Sequence, residues 1–399
     1  MASRDIRIPD RVARIGLAQF DLLNSRAAEL RASGRDVISL GQALPGFGPP
    51  EAALAAVREA LSRPDAHVYS ADAGLMSLRS ALCDRLSADR IAAPAGVPAR
   101  PDDIIVTAGG NQAFMLALMT LVDPGDEVLL PAPYFVNHQM AVAALGAIPT
   151  EVPIPEDRGF IVSWEDLEPH VTARTRAVVV CTPSNPTGAV VPHDTLARIV
   201  SELASRGIVL FSDETYGRFV HGSTASRAPS ALDVPGWREN VVVVNTFSKS
   251  FGMTGWRVGY MVADARVCEQ AIKIQDAMVI CAPVLSQIGV EAALRQGWSH
   301  PIAFAGELRE RKRILEEGLQ PIPRLRWTPT GGGFFAFVRV AGCLDTAALA
   351  GDLLERTGLV VMPGSTFGRS GEGFIRLSYS AVPGEALREA LARLAAYFA

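Results

Sequence analysis

Cysteine is scarce and falls into no useful spacing. Cys83, Cys181, Cys268, Cys281 and Cys343 are odd in number, scattered, and free of any CxxC or His/Cys cluster. That pattern argues against a zinc module or a disulfide framework and fits reduced, mostly buried thiols in the cytoplasm. No stretch approaches the roughly 18 apolar residues a spanning helix needs, so no membrane partner is expected. The opening Met1-Ala2-Ser3-Arg4-Asp5 lacks the apolar segment of a secretory leader. An excess of basic charge is missing too. With 38 Lys and Arg against 42 Asp and Glu, the net charge is −4, and no nucleic-acid surface is implied. Also absent is a GxGxxG turn after the first strand with an acid about 20 residues later, which removes a nicotinamide oxidoreductase.

What is present is an ordinary globular composition, 49% hydrophobic and 20% charged, over 399 residues. Short β-branched runs alternate with longer helical patterns. The candidate strands are 103–107, 127–130, 177–181, 208–212, 241–245 and 257–262, with helices expected at 111–122 and 193–206. Val178-Val179-Val180 and Val241-Val242-Val243-Val244 are apolar on both faces, as expected of strands in a mostly parallel sheet covered by helices. The βαβ alternation predicts a large α/β domain over 50–300. The two ends, 1–49 and 301–399, predict a smaller α+β domain with a charged helix at 307–319 and strands at 334–340 and 373–378. In such sheets ligands bind beyond the carboxyl ends of the strands.

Four strand ends carry unusual residues. Thr107-Ala108-Gly109-Gly110-Asn111-Gln112 opens a helix, where free backbone N–H groups and the helix dipole favour an anion; alone it is as readily a tight turn. Thr182-Pro183-Ser184-Asn185-Pro186-Thr187-Gly188 sets Asn185 at a rigid sheet edge, or is simply a turn. After an apolar strand come Asp213 and Glu214, either of which could cap a turn or hold a buried cation. The fourth is Asn245-Thr246-Phe247-Ser248-Lys249-Ser250-Phe251-Gly252, followed by Gly255-Trp256-Arg257-Val258-Gly259. Lysine is among the residues least often buried. Desolvation lowers its pKa and frees the amine for a Schiff base. An arginine eight positions on offers a bidentate phosphate clamp.

Taken in order, these segments resemble the class I/II aminotransferases, the fold-type I pyridoxal-phosphate enzymes, over nearly the whole chain. The lysine signature is matched by 246–252 and 255–259, with the Asn-Pro-Thr-Gly and Asp-x-x-Tyr segments upstream. The resemblance implies pyridoxal 5′-phosphate as cofactor and a large mostly parallel mixed-sheet domain with helices on both faces. It implies that Lys249 carries the cofactor as a Schiff base and shuttles the substrate proton. Asp213 pairs with the pyridine N–H, while Asn185 and Tyr216 hydrogen-bond the phenolic oxygen. Gly109, Gly110, Asn111, Thr246, Ser248 and Arg257 surround the phosphate, and Phe135 stacks on the ring, with Tyr134 the lesser candidate. Arg376, in the apolar run Phe374-Ile375-Arg376-Leu377-Ser378, takes the substrate carboxylate, and Gly41 belongs to a mobile segment covering it. Tyr69 reaches the phosphate of a partner subunit, so the resemblance implies a homodimer.

The implied activity is transfer of an amino group between an L-amino acid and a 2-oxo acid by a ping-pong mechanism, in the broad aspartate, aromatic or kynurenine-type subgroup. A lyase, decarboxylase or cyclase on the same scaffold is the alternative, because the cofactor does the common chemistry and the site chooses the bond. A non-catalytic regulator would need a DNA-binding module, for which the first 40 residues are too short and too neutral. Some relatives acting on acidic substrates carry a lysine directly after the two phosphate-loop glycines; this chain has Asn111.

Overall fold

The computed structural model describes residues 6–13, 15–16, 19–89, 98–222 and 227–399. The opening segment read above as lacking a leader lies outside them. Among the described residues the strands run in chain order: β1 (Ile38–Ser39), β2 (Ile104–Thr107), β3 (Glu127–Ala132), β4 (Ile148–Pro153), β5 (Thr175–Cys181), β6 (Val209–Asp213), β7 (Val241–Thr246), β8 (Gly259–Val262), β9 (Leu325–Arg326), β10 (Phe335–Val340), β11 (Leu359–Val360), β12 (Met362–Pro363) and β13 (Phe374–Ser378).

Seven of them form one sheet in the order β2-β8-β7-β6-β5-β3-β4. Neighbours from β7 through β4 are parallel, whereas β8 runs opposite to both β2 and β7. Period-two alternation splits the buried side chains between two cores. Val178, Val180, Leu210, Val241 and Val243 pack with the helix His193–Ala204 on one face. Val179, Val209, Phe211, Val242 and Val244 pack on the other with the helix Gly110–Leu121 and the helix Ala265–Val279. Burial on both faces is why these strands read as unbroken apolar runs.

A third core joins the N-terminal helix Gln19–Ala32, the long helix Ser299–Leu319, the helices Thr346–Thr357 and Gly384–Phe398, and the sheet β12-β13-β10-β9. A short parallel pair, β1 with β11, ties the N-terminal segment to the C-terminal one. Phe334, Phe335 and Tyr379 fill this core.

Three elements differ from expectation. The strand expected over 257–262 starts at Gly259, because Arg257 closes a 3₁₀ turn with a left-handed backbone, φ +52°. The helix expected from 307 begins at Ser299, a full two turns earlier. Strand β4 carries Pro149 and Pro153 and so lacks a ladder-like pattern. It stands at the edge of the sheet, where proline does no harm.

Candidate active site

The carboxyl ends of β3, β5, β6 and β7 converge on a cavity of about 590 Å³, the expected crevice of such a sheet. Lys249 sits in the short helix Phe247–Ser250 that follows β7 directly, and its Nζ donates to the Ala43 carbonyl at 2.6 Å. Burial, with Arg376 and Arg257 nearby, brings its pKa down to about 8. A neutral amine is therefore accessible near neutrality.

Asp213 ends β6. Strand alternation turns it to the same face as Phe211 and leaves Glu214 to the other side, which separates the two acids. Asp213 lines the cavity, whereas Glu214 accepts from Ser212 Oγ at 3.0 Å and from Ala231 N at 2.9 Å away from it. Burial alone would raise the Asp213 pKa. Hydrogen bonds from His138 and Thr215 outweigh it, and the carboxyl lies below its usual range. His138 Nε2 donates at 3.0 Å and Thr215 N at 3.0 Å.

Arg376, from the middle of β13, is 4% exposed and has no carboxylate partner among the described residues. Its Nη1 donates to Asn185 Oδ1 at 2.7 Å and its Nη2 to the Gly41 carbonyl at 2.5 Å. The guanidinium carbon lies 4.7 Å from the Phe335 ring centroid and 4.9 Å from that of Phe367. Its Nε is buried without a partner, and burial brings the guanidinium pKa down to about 10. Asn185 also reaches the Tyr216 hydroxyl, whose pKa is pushed up by burial.

At the other end of the cavity Thr246 caps the short helix. Its Oγ1 accepts from Ser248 N at 3.2 Å and donates to the Val258 carbonyl at 3.0 Å. Arg257, Gly110 and Asn111 complete this end. Gly109 lies just behind, with φ +90°, and a Cβ there would come 2.3 Å from Arg257 Nη2. A Cβ on Gly259 would meet the backbone of Gly109, Gly110 and Asn245 within 2.7 Å. The two glycines let three segments close around one small volume. Phe135 lines the cavity; Tyr134 does not, its backbone N–H donating to Phe367 O at 3.0 Å.

Most of the sequence-derived residues thus share one cavity. Gly41 meets it only through its carbonyl on Arg376. Tyr69 stands apart, 75% exposed and outside the cavity of its own chain. Several lining residues escaped the sequence reading, His138 and Thr366 among them. His138 comes from the helix Val136–Leu145, and its only local signal is the aromatic turn before it. Thr366 has a buried hydroxyl without a partner.

The sequence profile described as aminotransferase class I and II matches residues 35–394. The chain is 34% identical to a probable aspartate/prephenate aminotransferase of Aquifex aeolicus over 97% of each chain. It is 33% identical to aromatic-amino-acid aminotransferase 2 of Thermococcus litoralis over 90% of each. Among solved structures, an aminotransferase from Mycobacterium tuberculosis superposes with TM-score 0.91, 30% identity and 99% coverage of both chains. The chain belongs to the class I and II aminotransferases.

The cofactor of this aminotransferase is pyridoxal 5′-phosphate, and its residues fit that group. A side-chain-free cradle at Gly109, Gly110 and Gly259 beside Arg257 suits a phosphate at a helix N-terminus. An ionised acid suits a protonated ring nitrogen, and a lysine with lowered pKa suits a carbonyl carbon.

Proposed function

We propose that this aminotransferase moves an amino group between an L-amino acid and a 2-oxo acid at this one cavity, in the aspartate and aromatic branch of its family. The observation that carries the reading is the meeting of three groups: a lysine with a lowered pKa, an acid kept ionised, and an arginine with an unpartnered Nε. Pyridoxal phosphate, when bound, supplies a sink for the electron pair left at the substrate Cα.

The chain's own residues do the rest. Arg257, Thr246, Ser248, Asn111 and the backbone at Gly109 and Gly110 would hold the phosphate. Asp213 would accept the ring N–H, Asn185 and Tyr216 would donate to the phenolic oxygen, and Phe135 would cover the ring face. Arg376 binds the α-carboxylate through its fork, since a planar guanidinium matches a carboxylate in two parallel bonds. Lys249 Nζ takes the Cα proton in its neutral form and returns it. The segment carrying Gly41 and Ala43 already touches Arg376 and Lys249. Its movement with the unit formed by 1–49 and 301–399 against 50–300 would exclude water. Product and second substrate alternate at one site, so ping-pong kinetics are expected.

The exposure of Tyr69 supports a homodimer in which it reaches the partner's phosphate. The five cysteines are free, which supports a cytoplasmic setting. Absorption spectra of the purified holoenzyme, with Lys249→Ala as control, test the reaction. Donors should convert the cofactor band and an oxo acid should restore it, with neither change in the variant. Conversion accompanied by released ammonia or carbon dioxide would instead mean a lyase or decarboxylase.

A further inference from the structure

We propose that Gln275, buried on the helix Ala265–Val279, is a positioning residue for the cofactor phosphate, acting through Gln112 on the turn at 108–111. This rests on the reading above that the phosphate sits against Gly109, Gly110 and Arg257.

The turn needs a cap that its N-cap residue cannot give. Gly109 is the N-cap of the helix Gly110–Leu121 and must lack a side chain, because Arg257 Nη2 occupies the place of a Cβ. Its N–H already donates to the Thr107 carbonyl at 2.8 Å. Gln112, at the third helical position, supplies the cap instead by reaching back to accept from the Ala108 N–H. A glutamine at this position characteristically returns to the N-cap N–H; here it passes Gly109 and takes the residue before. The first N–H groups of the helix, at Gly110 and Asn111, have no intrahelical partner, and both residues line the cavity. With Ala108 and Gly109 engaged, the backbone donors offered to an anion begin at Gly110.

Gln275 decides which way round the Gln112 amide lies. Cys268, Ala271 and Gln275 form the buried stripe of their helix, and Gln275, 0% exposed, places an amide within it. Such burial is costly unless the polar atoms are paired. Its Nε2 donates to the Val106 carbonyl at 2.8 Å and to the Asp72 carbonyl at 3.1 Å. Two carbonyls leave no place there for an oxygen, so Oε1 faces Gln112 and accepts from its Nε2 at 3.2 Å. Gln112 Oε1 is thereby turned to Ala108. Rotated the other way, the Gln112 amide would set its NH2 group against the Ala108 N–H, donor facing donor. Val106 lies on β2 and Ala108 just beyond its end, so the strand that opens the cradle also orients its cap.

The test is the preference of the full-length, cofactor-free protein for pyridoxal 5′-phosphate over pyridoxal, from fluorescence titrations with each. The ratio isolates the phosphate, since the two ligands share every other group. Gln112→Met and Gln275→Met keep the side-chain volume and drop the polarity. Gln112→Met should lower the ratio about tenfold and Gln275→Met about threefold, the range of one neutral hydrogen bond. The double variant should also lower it only about tenfold, because Gln275 acts through Gln112. Unchanged pyridoxal binding reports a folded site. Where a methionine variant fails to fold, Gln112→Asn and Gln275→Asn, each one methylene too short, carry the same expectation. A ratio unchanged in both single variants overturns the proposal. So do losses that multiply in the double variant, which would mark two independent packing effects. Arg257→Ala tests the underlying reading: if it leaves the ratio at the parent's value, the phosphate lies elsewhere.

Discussion

His138 Nε2 and Asp213 Oδ2 lie 3.0 Å apart, both buried, across 75 residues of sequence. The histidine comes from the helix after β3 and the acid from the end of β6, so parallel-sheet topology creates the pair. Phe114 and Phe135 pack their rings 4.4 and 5.4 Å from the imidazole and fix its orientation. Asp213 is thereby held ionised in a place where burial alone would neutralise it.

Removing that donor should move the acid back toward neutrality. His138→Ala should weaken pyridoxal phosphate binding about ten- to a hundredfold, the range of a lost hydrogen bond to a charged group. His138→Asn, which can still donate, should lose less. Fluorescence titration of the cofactor-free protein measures both, and equal affinities across the series would show that the pair does not matter.

Lys249 makes the cofactor-free protein pH-dependent. Its pKa falls from 10.5 unfolded to about 8 folded, so between these values the unfolded chain binds more protons. Stability therefore rises with pH across that window and the full penalty stands below about pH 8. The shift corresponds to roughly 3 kcal/mol as an upper figure. Lys249→Met should be more stable than the parent in urea at pH 7, and the gap should close near pH 10. A gap independent of pH would mean that the lysine is solvated.

The two glycines of the Gly-x-Arg-x-Gly run should respond in opposite ways. Gly255 has nothing within 4 Å of an added Cβ, whereas Gly259 would strike three backbone atoms. Gly255→Ala should stay within about 0.5 kcal/mol of the parent. Gly259→Ala should cost about 3 kcal/mol or more, because backbone does not yield. Thermal unfolding of both variants checks the contrast.

Glu214 is the reverse of Asp213. Burial pushes its pKa up to about 7 from 4.5, and the opposing hydrogen bonds from Ser230 and Ala231 and the charge of Arg227 do not offset it. The folded state then binds the extra proton between those values, so stability falls as pH rises through the window. Glutamine at 214 can still accept from Ser212 Oγ and Ala231 N. Glu214→Gln should match the parent near pH 5 and exceed it by up to about 3 kcal/mol near pH 8.5. Parallel pH curves for the two proteins would refute this.

Much of this architecture was legible because β5, β6 and β7 bury both faces, and their apolar runs end abruptly at Cys181, Asp213 and Thr246. Lys249 and Arg257 stood out for the same reason, as charges placed directly after such a run. Strand β4 did not, since an edge strand with two prolines carries neither alternation nor a β-branched run. His138 went unread because the aromatic turn before it is its only local signal, and its partner Asp213 lies on another strand.

The sequence by itself determined the strand ends, the lysine with its arginine, and the family, because periodicity and short-range motifs are local properties of the chain. Tertiary structure decided which of Asp213 and Glu214 faces the cavity and that His138 keeps the first ionised. It also decided that Arg376 has a free Nε and that residues as far apart as Ile15, Asn185 and Arg376 line one cavity. Those outcomes depend on desolvation and on pairing between segments far apart in the chain, and neither leaves a local pattern to read.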